Sequence, residues 1–204
     1  MAANGHRVIS FEPVPQTFRA LASGFAANNF DPGVTITLVN AAASTERGVA
    51  EIRTAKKNAG HSITGGVNKS TTVAKNDPAF FTFAIETTTL DSIVHEPVDL
   101  MKIDTQGHEL KALRGAHRLL STKMVRTIYF EFDPLLMLAG GEEDPAALLR
   151  LLDSYGYRIE GYPNKTSVVQ PSAFDALVAR TKQGWLLPNK YRVKWLDLIA
   201  RVRS

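Results

Sequence analysis

Apolar and polar positions along this chain switch between two periods. Arg7 to Phe11 is a short β-prone run that stops at Glu12 and Pro13, which predicts a buried strand entering a turn. From Pro15 to Asn28 the residues Phe18, Leu21, Ala22 and Phe25 recur at i, i+3, i+4 and i+7, one face of a helix, and Asn28 with Asn29 supplies its stop. Val34 to Asn40 is β-branched and broadly apolar, the composition of a strand covered on both faces.

Between Ala41 and Thr89 the runs GVAEIR and FFTFAIET alternate like strands around a polar stretch, Lys56 to Lys75, which reads as a loop or lid. Val98 to Asp104 predicts another buried strand, Gln106 to Leu120 a helix with Leu110, Leu113 and Leu120 inward, and Val125 to Phe132 a further strand. Asp144 and Pro145 resemble an N-cap and first helical position ahead of Leu148, Leu149, Leu151 and Leu152, with Gly156 as the stop. The run YRIEGY then reads as a strand. Strands alternating with helices at these spacings predict an α/β fold: a mostly parallel sheet with right-handed crossovers, extended by antiparallel strands toward the end. No internal repeat divides the chain. One domain over residues 1–204 is expected, with its core in 7–162.

Composition adds boundaries. With 204 residues and 44% apolar positions, the chain can bury one core. No apolar run approaches the roughly 18 residues of a membrane helix, and the opening lacks a secretory signal, so a soluble cytoplasmic protein is expected. Cysteine is absent, which excludes disulfides, thiolate metal sites and cysteine nucleophiles. The net charge of +4 is modest, but Arg180, Lys182, Lys190, Arg192, Lys194, Arg201 and Arg203 face only Asp197 in the segment 180–204. Such a field could attract phosphate groups, nucleic acid or an anionic surface. Val193, Leu196, Ile199 and Val202 make the alternative an amphipathic helix with a solvated basic face.

Ligands of open α/β sheets gather outside the carboxyl ends of the strands. That rule selects Glu12, Asn40, Asp104 and Glu131. Glu12 closes an early strand, where nucleotide-binding folds place a carboxylate to accept hydrogen bonds from ribose hydroxyls. The glycine-rich turn of such folds lies upstream of this acid, yet eleven residues precede Glu12 and Gly5 is their sole glycine. The first strand-loop-helix unit is therefore expected to be missing.

The segments FEPVPQTFRALASGFAANN, TITLVNAAAS, TTTLDSI and VDLMKIDTQGHELKALRGAHRLL, followed by TIYFEF, resemble the FkbM family of methyltransferases from about Val8 to about Tyr162. The block KIDTQGHELKALRGA is the most specific part. The resemblance implies a Rossmann-like class I methyltransferase sheet and transfer of a methyl group from S-adenosylmethionine, usually to a hydroxyl oxygen of a small molecule or sugar. It places Glu12, Pro13, Asn40 and Ala41 at the cofactor. Members normally begin with a strand and glycine turn before the FEP segment; here that strand would lie between the strands ending at Glu12 and Asp104. A clipped sheet would expose an edge, inviting self-association or completion by an upstream segment.

Attack by a hydroxyl needs a proton acceptor in reach. Asp104 is the first candidate, with an N-cap as its alternative. Glu109 suits the dipole of a first helical turn even without chemistry, and His108 could shuttle a proton near neutral pH or simply be exposed. Lys102 should pair with a carboxylate, and Glu131 is either its partner or a substrate ligand. His117 reads as a hydrogen-bonded packing residue. Asp99, Asp104 and Glu131 form no compact ligand cluster, so no metal is expected. Trp185, Tyr191 and Trp195 read as packing aromatics rather than a base-stacking platform, so no nucleic acid is expected. Two other readings are a degenerate, non-catalytic relative acting as a binding or scaffold subunit, and a nicotinamide-dependent α/β enzyme.

Overall fold

A computed structural model describes residues 6–29, 35–55, 58–64, 80–161, 168–183, 185–186, 192–193 and 196–203. The first strand, β1 (Val8–Phe11), turns at Glu12 and Pro13 into α1 (Pro15–Ala27), whose first position is a proline with φ already suited to a helix. The strand β2 (Ile36–Val39) then pairs with β1 in parallel, Val8 opposite Ile36 and Phe11 opposite Val39. The expected stripe of α1 forms, but no residue of the helix is fully buried.

Next come β3 (Ala42–Ala43), β4 (Gly48–Ala55), β5 (Asn58–Thr64) and β6 (Phe80–Thr88), a mixed sheet in the order β3-β6-β4-β5. Here the reading of Lys56 to Lys75 as a loop is corrected in part: Asn58–Thr64 is a strand, antiparallel to β4. The remainder of that stretch lies outside the described residues. Val14, at the β1–α1 turn, is buried with Ile52 and Ile85, which ties this sheet to the first strand pair.

The main layer begins at β7 (Val98–Ile103), continues through α2 (Glu109–Arg114), α3 (His117–Ser121), β8 (Val125–Phe132), α4 (Pro134–Ala139), α5 (Ala146–Ser154), β9 (Tyr157–Gly161) and α6 (Phe174–Gln183), and ends with β10 (Trp185–Leu186), β11 (Arg192–Val193) and β12 (Leu196–Val202). Its sheet runs β7-β8-β12-β9, with β7 and β8 parallel and β12 antiparallel to both of its neighbours. Ile128, Phe130 and Phe132 of β8, Leu198 and Ala200 of β12 and Ile159 of β9 share the face that packs against α2 to α6. The α/β class and the antiparallel end are as expected, but the single mostly parallel sheet is not: the described strands form four sheets, with three parallel pairings and five antiparallel ones.

Three local readings change. The single helix from Gln106 to Leu120 is two, broken at Gly115, where an added Cβ would sit 2.0 Å from the carbonyl oxygen of Ser44. The second piece is capped from a distance: Asp91 accepts the backbone N–H groups of Arg118 and Leu119, at 2.7 and 3.0 Å. The expected amphipathic helix of 180–204 is replaced by the end of α6 and by strands, because Leu198 and Ala200 alternate with Ile199 and Arg201 and the segment fills the slot between β8 and β9, hydrogen-bonding on both sides. Lys190, Tyr191, Lys194 and Trp195 lie outside the described residues. Finally, β7 is not covered on both faces. Among the described strands it pairs with β8 alone, and Asp99, Leu100 and Lys102 are exposed.

No helix among the described residues is long and apolar enough to cross a membrane.

Candidate active site

Two groups of residues stand at strand ends. At the first, the Glu12 N–H donates to Val39 O at 3.0 Å, and the Glu12 carboxylate accepts the Val14 N–H at 2.7 Å, holding the turn into α1. Asn40, just past β2, donates its side-chain amide to the carbonyls of Glu12 and Pro13, at 2.8 and 3.3 Å. The buried Ala41 follows. The four residues expected at the cofactor are thus brought together by the pairing of β1 with β2. Burial raises the Glu12 pKa, opposed by the Val14 hydrogen bond, so the carboxylate is a partly desolvated acceptor.

The second group follows β7. Asp104 accepts hydrogen bonds from Lys102 Nζ at 3.2 Å and Gln106 Nε2 at 2.9 Å. It caps no helix, since its oxygens are held by side chains. The Lys102 pairing is as expected, with Asp104 rather than Glu131 as the partner. Glu109 is 2% exposed, and its Oε1 accepts from Thr105 N (2.9 Å), Thr105 Oγ1 (3.1 Å) and Gly107 N (3.1 Å). Glu109 stands in the first turn of α2, and its carboxylate closes the turn that precedes the helix. Gly107 has φ +94° and an added Cβ would lie 2.3 Å from Leu136 O, so only glycine lets the turn approach α4 this closely. Asp133 caps α4 through the backbone N–H groups of Leu135 and Leu136.

The electrostatics separate the candidate proton carriers. Glu131 is pushed up to about 7, first by burial and then by the negative charges of Asp104, Glu109, Asp133 and Asp197. No donor reaches its carboxylate among the described residues. His108 is pushed down to about 4 by burial and then by the Lys111 ammonium, whose Nζ lies 3.2 Å from its Nδ1; its Nε2 is buried without a partner. A ring that stays neutral down to that pH does not suit a proton shuttle working near neutrality, so that reading of His108 loses support. His117 is exposed and meets the Tyr155 hydroxyl at 2.6 Å, a hydrogen-bonded residue at the surface.

Arg7, just before β1, forms an ion pair with Glu96, just before β7, which brings the amino ends of these two strands near each other. A cavity of 360 Å³ lies elsewhere, at the amino end of β9 beside Tyr157, Phe174, Arg158 and Arg203. Its arginines are already engaged, by Glu160 and Asp153. Among the described residues no group of three or more His, Asp or Glu side chains is arranged to hold a metal ion.

Comparison with known proteins decides the family. The methyltransferase FkbM domain profile matches residues 1–159. The chain belongs to the FkbM methyltransferase family. All the residues just described, apart from Asp197 and the lining of the β9 cavity, lie inside or at the edge of the matched segment of this FkbM domain. Among solved structures it is similar to methyltransferase FkbM from Methylobacillus flagellatus, at 17% identity and a TM-score of 0.48, over 96% of this chain and 36% of that one. The chain thus spans about a third of the length of that relative. No curated protein matches it.

Thr105, Gln106 and Gly107 were not singled out from the sequence. The glycine just ahead of an apolar helical run is the local signal that could have found them. Asp133, followed by Pro134, carries the signal of a helix N-cap, whereas Asp197 carries no local mark, because it comes opposite Glu131 only where β12 pairs with β8.

Proposed function

We propose that this FkbM domain is the catalytic part of an S-adenosylmethionine-dependent methyltransferase acting on a hydroxyl group of a small molecule or sugar. The observation that carries the reading is the convergence of Glu12, Pro13, Asn40 and Ala41 at the carboxyl ends of β1 and β2, where a half-buried carboxylate is suited to accept ribose hydroxyls. The donor set fits an adenosyl group: Glu12 would take the ribose, and the Asn40–Ala41 backbone would border the adenine. When bound, the cofactor supplies an electrophilic methyl group. The protein aligns the acceptor hydroxyl and removes its proton.

Two carboxylates are candidates for that last task. Asp104 is held in place by Lys102 and Gln106, which suits it to orient the acceptor and to take its proton. Glu131, titrating at about 7, is suited to exchange protons near neutrality.

The sheet reading also extends beyond the described strands. Among them β1 pairs only with β2 and β7 only with β8, while Ile9 and Leu100 remain exposed at 37% and 42%. A further parallel strand between β1 and β7, with its glycine turn, would complete a class I methyltransferase sheet and cover both. The same open seam favours a second reading, a binding or scaffold subunit that does no chemistry. Calorimetric titration of the full chain with S-adenosylmethionine separates them: saturable binding weakened by Glu12→Gln supports the enzyme, and no binding supports the scaffold. A cytoplasmic location belongs to the same proposal.

A further inference from the structure

We propose that Glu109 is the positioning residue that holds Asp104 in its working orientation, acting through the turn between them; the inference rests on the methyltransferase reading of Asp104. The connection is continuous. Glu109 Oε1 accepts from Thr105 and from Gly107, the residues on either side of Gln106. Gln106 itself has φ +52°, a left-handed conformation that side-chain-bearing residues ordinarily avoid. With both of its neighbours tied to one buried oxygen, that conformation is retained. It turns the Gln106 side chain back so that Nε2 meets Asp104 Oδ1.

The far side of the turn is fixed as well. Gly107 lies against the carbonyl of Leu136, Gly140 has no room for a Cβ beside Gly107 O, and Lys111 Nζ donates to Gly140 O at 2.9 Å. Between α4 and the Glu109 carboxylate the backbone of 105–107 is held from both sides, leaving Asp104 a single supported orientation. All three donors to Oε1 come from residues 105 and 107, which ties Glu109 to the turn and makes the orientation of Asp104 its route to the chemistry.

An amide can stand in for the carboxylate as the acceptor, and this makes the test. Full-length wild type, Glu109→Gln, Glu109→Ala and Gln106→Ala are compared in two measurements. One is amide hydrogen exchange at Thr105 and Gly107. The other is methyl transfer from labelled S-adenosylmethionine to a panel of monosaccharides and simple polyols. Glu109→Gln is expected to keep amide protection and to stay within about fivefold of wild-type kcat. Glu109→Ala should lose the protection and about 100-fold in kcat, with KM for S-adenosylmethionine little changed. Gln106→Ala leaves the clamp intact and should lower kcat with protection retained, which covers the case in which Glu109→Ala does not fold. Equal loss of kcat in Glu109→Gln and Glu109→Ala with protection kept in the former would overturn the proposal and make Glu109 a proton carrier. Retained protection in a folded Glu109→Ala would overturn it too. If wild type transfers no methyl group, the methyltransferase reading fails by itself, and the exchange data still decide whether Glu109 holds the turn.

Discussion

The side-chain amide of Gln106 lies 2.9 Å from Asp104 Oδ1, and the Gln106 backbone adopts φ +52° to bring it there. Lys102 holds the other oxygen at 3.2 Å. A carboxylate gripped at both oxygens by side chains two residues away on either side is oriented before any ligand arrives.

Asp104→Asn should therefore lower turnover sharply, by roughly 100-fold or more for a general base, and leave S-adenosylmethionine affinity within a few-fold. Single-turnover kinetics beside a calorimetric titration would check this. If turnover is unchanged while Glu131→Gln abolishes it, the proton acceptor is Glu131.

At the other strand end, Glu12→Gln keeps an oxygen for the Val14 N–H but removes the charge. The Kd for S-adenosylmethionine should rise by roughly 10- to 100-fold, the worth of a hydrogen bond to a charged acceptor. Thermal stability should barely move, so an affinity loss accompanied by a large fall in Tm would count against direct ribose contact.

Stability should also depend on Glu131. Its folded pKa of about 7 stands above the ordinary 4.5, so the folded state holds this proton more tightly than the unfolded chain. The resulting contribution is complete below pH 4.5 and is lost as pH rises through about 7. Tm of wild type should fall relative to Glu131→Gln between pH 5 and pH 8. His108 acts in the opposite sense: its folded pKa of about 4 lies below the ordinary 6.5, so its contribution is complete above 6.5 and is lost as pH falls toward 4. Glu131→Gln should leave that acid-side loss in place.

Two glycines should respond in opposite directions to alanine. Gly107→Ala adds a Cβ 2.3 Å from the Leu136 carbonyl at a backbone angle of +94°, and should cost about 3 kcal/mol or more. Gly24, inside α1 with nothing within 4 Å of an added Cβ, should gain about 0.5–1 kcal/mol as alanine. Urea unfolding of the two variants measures both. A Gly107→Ala protein as stable as wild type would mean that the 105–107 turn does not rest on α4 as described.

Much of the fold was written locally. The i, i+3, i+4, i+7 stripe of α1, the apolar run of β8, Asp144 ahead of α5 with its oxygen 3.1 Å from Ala146 N, and Gly156 at φ +74° after the same helix all act within one turn or one strand. A single sequence displays such short-range preferences directly. The KIDTQGHELKALRGA block is equally local, and it carried the family.

What the tertiary structure decided lies in pairs distant along the chain. Ser44 against Gly115 breaks a helix that periodicity alone runs through, and Asp91, 27 residues before Arg118, starts the second piece. The stripe of residues 193–202 fits a helix or a strand equally well until the slot between β8 and β9 offers backbone partners on both sides. Charge behaves in the same way. The acidity of Glu131 is set by burial and by the carboxylates of Asp104 after β7, Glu109 on α2, Asp133 after β8 and Asp197 on β12, while Glu109 is a buried anchor because folding lays the 105–107 backbone over its oxygen. Sequence determines which groups are present and which local shapes they favour. Desolvation and electrostatic fields depend on distances that exist only once the strands have paired.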